Sequence, residues 1–240
     1  MRRHQLIAVA VALTLGATVA GCTLEPEETG DPNPSTSSEP APDGDPGAPG
    51  APAEAGTLPG VPGVEDGRAQ LAALTIAEDR PMTGYDRDEF PHWVSVDGCS
   101  TRQLVLQRDG KDVETDEDCQ PVSGEWFSPF DNEVVTSASE VDIDHMVPLA
   151  NAWRSGADSW DKDTRRAFAN DLEGPQLIAV TAGSNRSKGD QNPADWQPPA
   201  EEFWCVYGLA WTAVKHSYEL TVTAEEHETL TEMLGTCAAG

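Results

Sequence analysis

Glu140-Val141-Asp142-Ile143-Asp144-His145-Met146-Val147-Pro148-Leu149-Ala150 decides how this chain is read. Val141 and Ile143 alternate with Asp142 and Asp144, the period of a strand with one apolar and one acidic face. An acidic strand face alone is common on plain surfaces. Here the Asp-His pair ends the alternation and runs straight into an apolar segment containing Pro148, so it sits where a strand turns into a packed helix. Further on, Ser184-Asn185-Arg186-Ser187-Lys188-Gly189-Asp190 brings an amide and two cations. A carboxylate, an imidazole, an amide and cations can hold one hard metal ion, activate a water and grip a phosphate.

Outward from this stretch, the pattern predicts an α+β fold, with a small β-hairpin plus helix embedded among helices. A first helix is expected over Val64 to Ala77, and an aromatic loop over Gly84 to Trp93. Gln103 to Gln107 alternates like a strand, and Lys111 to Asp118 reads as an acidic loop closed at Cys119. Val122 to Phe127 reads as a strand, and Val134-Val135 with Val141 to Asp144 as a second strand pair. Leu149 to Ser155 and Asp161 to Leu172 have helical spacing, and Leu177 to Val180 is a short buried run. Glu201 to Val214 reads as a buried helix. A last helix opens on Thr223-Ala224-Glu225-Glu226, a capping-box pattern, and closes at Gly235.

Asp144-His145-Met146-Val147-Pro148-Leu149, followed by Asn185-Arg186-x-Lys188-Gly189, resembles the HNH endonucleases, the ββα-metal nucleases. More closely, the chain resembles the exported, single-domain members of Gram-positive bacteria. The resemblance includes Gly98-Cys99-Ser100-Thr101-Arg102, Ser123-Gly124-x-Trp126, Ala152-Trp153-Arg154-Ser155-Gly156-Ala157, Phe168-Ala169-Asn170-Asp171-Leu172 and Pro175-Gln176-Leu177-Ile178-Ala179-Val180, and runs from about Tyr85 to Tyr218. It implies His145 as the general base, Asp144 as a metal ligand, and Asn185 or Asp190 completing the site for one Mg²⁺ or Mn²⁺ ion. Arg186 and Lys188 would hold the backbone phosphate, with Arg102 and Arg154 as further candidates. The middle residue of the pattern, which orients the base, falls on Gln176 by its offset, and Asn170 is the other candidate.

The ends set the context. Residues 1–21 carry Arg2 and Arg3 before an apolar run from Leu6 to Val19, the pattern of an export signal. Val19-Ala20-Gly21-Cys22 is similar to a lipobox, which makes Cys22 a candidate for lipidation and attachment to the outer face of a membrane. An ordinary secretory signal is the other reading. Residues 22–66 hold ten acidic residues and no Lys or Arg among many Pro, Gly and Ser, the composition of a disordered tether. Residues 67–240 are one domain's worth of chain. Cys99, Cys119, Cys205 and Cys237 are an even set in an exported chain, and sequential pairing brackets one compact segment each. Zinc ligation lacks its usual spacing.

Charge opposes the nuclease reading. Residues 67–240 hold 32 Asp and Glu against 13 Lys and Arg, a net −19, whereas nucleic-acid binders ordinarily show a basic face. The expectation that combines these readings is a monomeric metal-dependent endonuclease, acting outside the cytoplasm on DNA rather than RNA with little sequence preference. The rivals are a non-catalytic surface-binding lipoprotein with the same fold and a metallohydrolase of small phosphoesters.

Overall fold

The computed structural model describes residues 58–238. The expected signal segment, Cys22 and most of the tether lie outside the described residues. Leu58 is already buried and the first helix begins at Val64, ahead of the Gly67 boundary expected from composition. Along the chain run α1 (Val64–Ala73), β1 (Ser95–Val96), β2 (Cys99–Ser100), α2 (Thr101–Asp109), β3 (Gly110–Thr115), β4 (Pro121–Ser128), β5 (Glu133–Val135) and β6 (Val141–His145). They are followed by α3 (Leu149–Arg154), α4 (Lys162–Ala169), β7 (Leu177–Thr181), α5 (Ala182–Lys188), α6 (Trp204–Ser217) and α7 (Ala224–Gly235). The fold is α+β, and among the described residues no helix is long and apolar enough to cross a membrane.

The strands form three small antiparallel sheets: β1-β2, β3-β4-β5 and β6-β7. In the last, Asp144 lies opposite Ile178 and His145 opposite Leu177. Pleating sends alternate residues to opposite faces. Val141, Ile143, Leu177 and Ala179 therefore join a core with Val105, Leu106 and Trp126. Ile178 and Val180 join the larger core built by α3, α4, α6 and α7. Asp142 and Asp144 share the face of Ile178 and Val180, so an acidic pair points toward the helical side and not toward open solvent. β7 is buried on both faces, which explains its unbroken apolar run.

Three expectations about elements fail for physical reasons. Gln103 to Gln107 is helical, because Ser100 caps α2 in a reciprocal capping box with Gln103 and Val105 and Leu106 face one core. Lys111 to Thr115 is a strand, because Gly110 and Gly124 leave room for the Trp126 ring, whose indole N–H donates to Leu106 O at 2.8 Å. A Cβ on Gly124 would lie 2.7 Å from that ring. Val134-Val135 pairs with β4 and not with β6, whose partner β7 comes after two intervening helices.

Both disulfides follow sequential pairing. Cys99–Cys119 ties β2 to the β3-β4 turn, and Cys205–Cys237 ties the first turn of α6 to the end of α7. Lys215 is fully buried and paired to Glu226 at 3.1 Å, while His216 is exposed.

Candidate active site

β6, β7 and α5 make the hairpin-plus-helix unit, with α3 and α4 inserted between its strands. Thr181 caps α5 by accepting from Ser184 N, and the hydroxyls of Thr181 and Ser184 both donate to Asp131. This fixes α5 against the acidic face of β6. The result is a cleft of about 320 Å³ lined by Tyr85, Arg87, Asp144, His145, Asn185 and Asp190 among others.

His145 is almost fully buried. Its Nε2 lies 3.0 Å from Ala169 O. A carbonyl only accepts, so Nε2 carries the proton and the lone pair sits on Nδ1. Nδ1 has no protein partner among the described residues. Burial holds the imidazole down to about 3, so the ring is neutral at pH 7 and keeps its Nδ1 lone pair, though as a weaker base than a free imidazole.

Asp144 is held by Lys188, whose Nζ donates to Oδ1 at 3.0 Å and Oδ2 at 2.8 Å and also to His145 O at 2.9 Å. Burial pushes the Asp144 carboxyl up to about 6 against the pull of that ammonium, so it stays ionised at neutral pH. Lys188 is wholly buried and also lies over the Trp211 ring. Its ammonium is therefore committed to Asp144 and not presented to a phosphate.

Asn185 lines the cleft, and its Nδ2 donates to Asp142 Oδ2 at 3.0 Å while its Oδ1 has no hydrogen-bond partner among the described residues. The other expected residues are placed elsewhere. Gln176 exchanges two bonds with the Val147 backbone, and Met146 N donates to its carbonyl, so it extends the strand ladder past His145. Asn170 accepts from Val94 N and Thr101 Oγ1 and donates to Pro91 O and Arg166 O, which uses its full hydrogen-bonding capacity. Neither amide reaches the imidazole; the Ala169 carbonyl does. Arg102 donates to Ala138 O and Val141 O and closes the loop before β6. Arg154 is held by Asp190 and Asp79. Arg186 is exposed.

A strap from Tyr85 to Trp93 was missed by sequence reasoning as part of the site. His92 and Trp93 flank the His145 ring, with centroids at 6.4 and 5.4 Å. The only hint was the density of aromatic residues in a loop-like stretch.

Residues 108–233 match the family described as GmrSD restriction endonucleases, C-terminal domain. The chain belongs to this nuclease family. The family stretch holds β6, β7, α5 and both sides of the Asp144–Lys188 pair, and the Tyr85–Trp93 strap precedes it. A protein named "Uncharacterized secreted protein" from Arthroderma benhamiae is 50% identical over 182 residues, covering 75% of this chain and 89% of that protein. No solved structure matches the chain.

Among the described residues no group of three or more His, Cys, Asp or Glu side chains is gathered to hold a metal. Both Asp144 oxygens accept from Lys188, so an ion there would share that carboxylate with the ammonium. Asp144 and Asn185 line the same polar cleft, and the carboxylate and the amide Oδ1 are hard oxygen donors of the kind Mg²⁺ and Mn²⁺ take, with water filling the remaining positions.

Proposed function

We propose that the chain is an HNH-type, metal-dependent endonuclease that hydrolyses DNA phosphodiester bonds with little sequence preference, outside the cytoplasm. The observation that carries this reading is the state of His145: neutral, fixed through Nε2 by Ala169 O, and lining a cleft that also holds Asp144 and Asn185. Nδ1 takes the proton from an attacking water, and the Ala169 carbonyl stabilises the imidazolium that forms. Asp144 and Asn185 would hold one divalent ion, which would supply charge stabilisation for the phosphate and its leaving oxygen. The strap keeps the imidazole between His92 and Trp93 and so limits its rotation.

Export is supported by the printed name of the Arthroderma relative and by the pattern of the first 21 residues. Attachment through Cys22 is the accompanying proposal. One observation favours the non-catalytic reading: Lys188 occupies both oxygens of Asp144. Supercoiled plasmid incubated with the purified chain and Mg²⁺, Mn²⁺ or EDTA separates the two. The endonuclease nicks plasmid with either ion and stops in EDTA. No nicking under any condition supports the binding protein, and turnover of a chromogenic phosphodiester without nicking supports the small-phosphoester enzyme.

A further inference from the structure

We propose that Arg87, which precedes the family-matched stretch, is the residue of the cleft that grips the scissile phosphate. The inference rests on the nuclease reading for the word scissile, and on geometry alone for the anion site. Acidic residues outnumber Lys and Arg in this chain by 42 to 15, and the two other cations nearest the reacting pair are both held by carboxylates. Lys188 is on Asp144, and Arg154 is on Asp79 and Asp190. Arg87 lines the cleft, is exposed and has no carboxylate partner among the described residues, although Asp86 and Asp88 flank it in sequence. The Asp86 side chain accepts from Asp88 N, and Glu89 is taken by Arg165.

Its side chain is also aimed. His92 Nδ1 lies 2.8 Å from Phe90 O, so Nδ1 carries the proton and Nε2 is left as an acceptor. Arg87 Nε donates to that Nε2 at 3.4 Å. The bond leaves both terminal guanidinium nitrogens free, the fork that fits two phosphate oxygens. Arg87 lines the same cleft as Asp144 and His145.

Two measurements on the full chain test this. The first titrates inorganic phosphate in EDTA and follows the ³¹P line width for wild type, Arg87→Ala, Arg87→Lys and the distant Lys111→Ala. Wild type and Lys111→Ala should broaden the line, Arg87→Ala should not, and Arg87→Lys should do so partly. A wild type that leaves the line sharp, or an Arg87→Ala protein that broadens it equally, overturns the proposal. The second compares plasmid cleavage. Arg87→Ala should lower kcat by about 10²-fold, the scale for losing one preorganised donor, with part recovered in Arg87→Lys. Cleavage by Arg87→Ala at the wild-type kcat overturns the scissile-phosphate role. If no variant cuts plasmid while phosphate broadening still depends on Arg87, the nuclease reading fails and the anion site stands.

Discussion

At the scale of single residues, the site is governed by what burial does to three charges. His145 is kept neutral, Asp144 is pushed up and Lys188 is pushed down, each by loss of solvent. His145 titrates near 6.5 in an unfolded chain and near 3 in the fold. Its contribution to stability is therefore present above pH 6.5 and is lost as pH falls toward 3. In metal-free protein the His145 imidazole ¹⁵N shifts should stay those of the Nε2-protonated neutral ring from pH 8 to pH 5; a midpoint near 6.5 would contradict the buried, carbonyl-bound ring. Lys188 gives a second test. Replacing it by Met strands a buried carboxylate, which costs about 3–5 kcal/mol when one partner of a buried pair is removed. The urea midpoint of Lys188→Met in EDTA should drop accordingly, whereas a lysine that only touched phosphate from the surface would leave it unchanged.

At the scale of elements, β6 carries the argument, and it was readable in the sequence. Asp142 and Asp144 fall on one face because the pleat has period two, and the apolar residues between them demand a core. The partner strand was not readable. β6 and β7 are separated by α3 and α4, and nothing in Val134-Val135 says that it pairs backward with β4. Gln176 and Asn170 show a similar limit. Their positions relative to the motif were legible, but a side-chain amide that bonds to backbone leaves no periodic trace, and a backbone carbonyl such as Ala169 O leaves none at all. Arg87 was missed because its strap has neither helical nor strand period. The cysteines were legible because an even set in an exported chain has few pairings. The Cys205–Cys237 bridge joins α6 to the end of α7, which also packs Leu230, Met233 and Leu234 into the helical core and holds the Thr223–Glu226 capping box and the Lys215–Glu226 pair. Removing both cysteines should lower unfolding stability by about 2–5 kcal/mol, read by thermal or urea denaturation; an unchanged midpoint would show that α7 docks without the bridge.

At the scale of the whole molecule, the net charge of −27 must be reconciled with a polyanionic substrate. Binding has to come from a small positive locus: the proposed divalent ion, Arg87 and the exposed Arg186. Ordinary DNA binders lose affinity steadily as salt rises, through counterion release. Here salt also screens repulsion between the acidic surface and phosphates. Plasmid cleavage at fixed Mg²⁺ should therefore show a shallow or non-monotonic dependence on salt, and a steep steady loss from low salt upward would reveal a basic groove that the structure does not contain among its described residues. The proposed role of the neutral, carbonyl-fixed His145 is that of the base of a nuclease. Its most direct test is the single-turnover rate of plasmid cleavage by wild type and His145→Ala at saturating Mg²⁺, with folding of both checked by circular dichroism. A loss of roughly 10²- to 10⁴-fold is expected, the span of a general base; a folded His145→Ala protein that cuts at the wild-type rate would rule that role out.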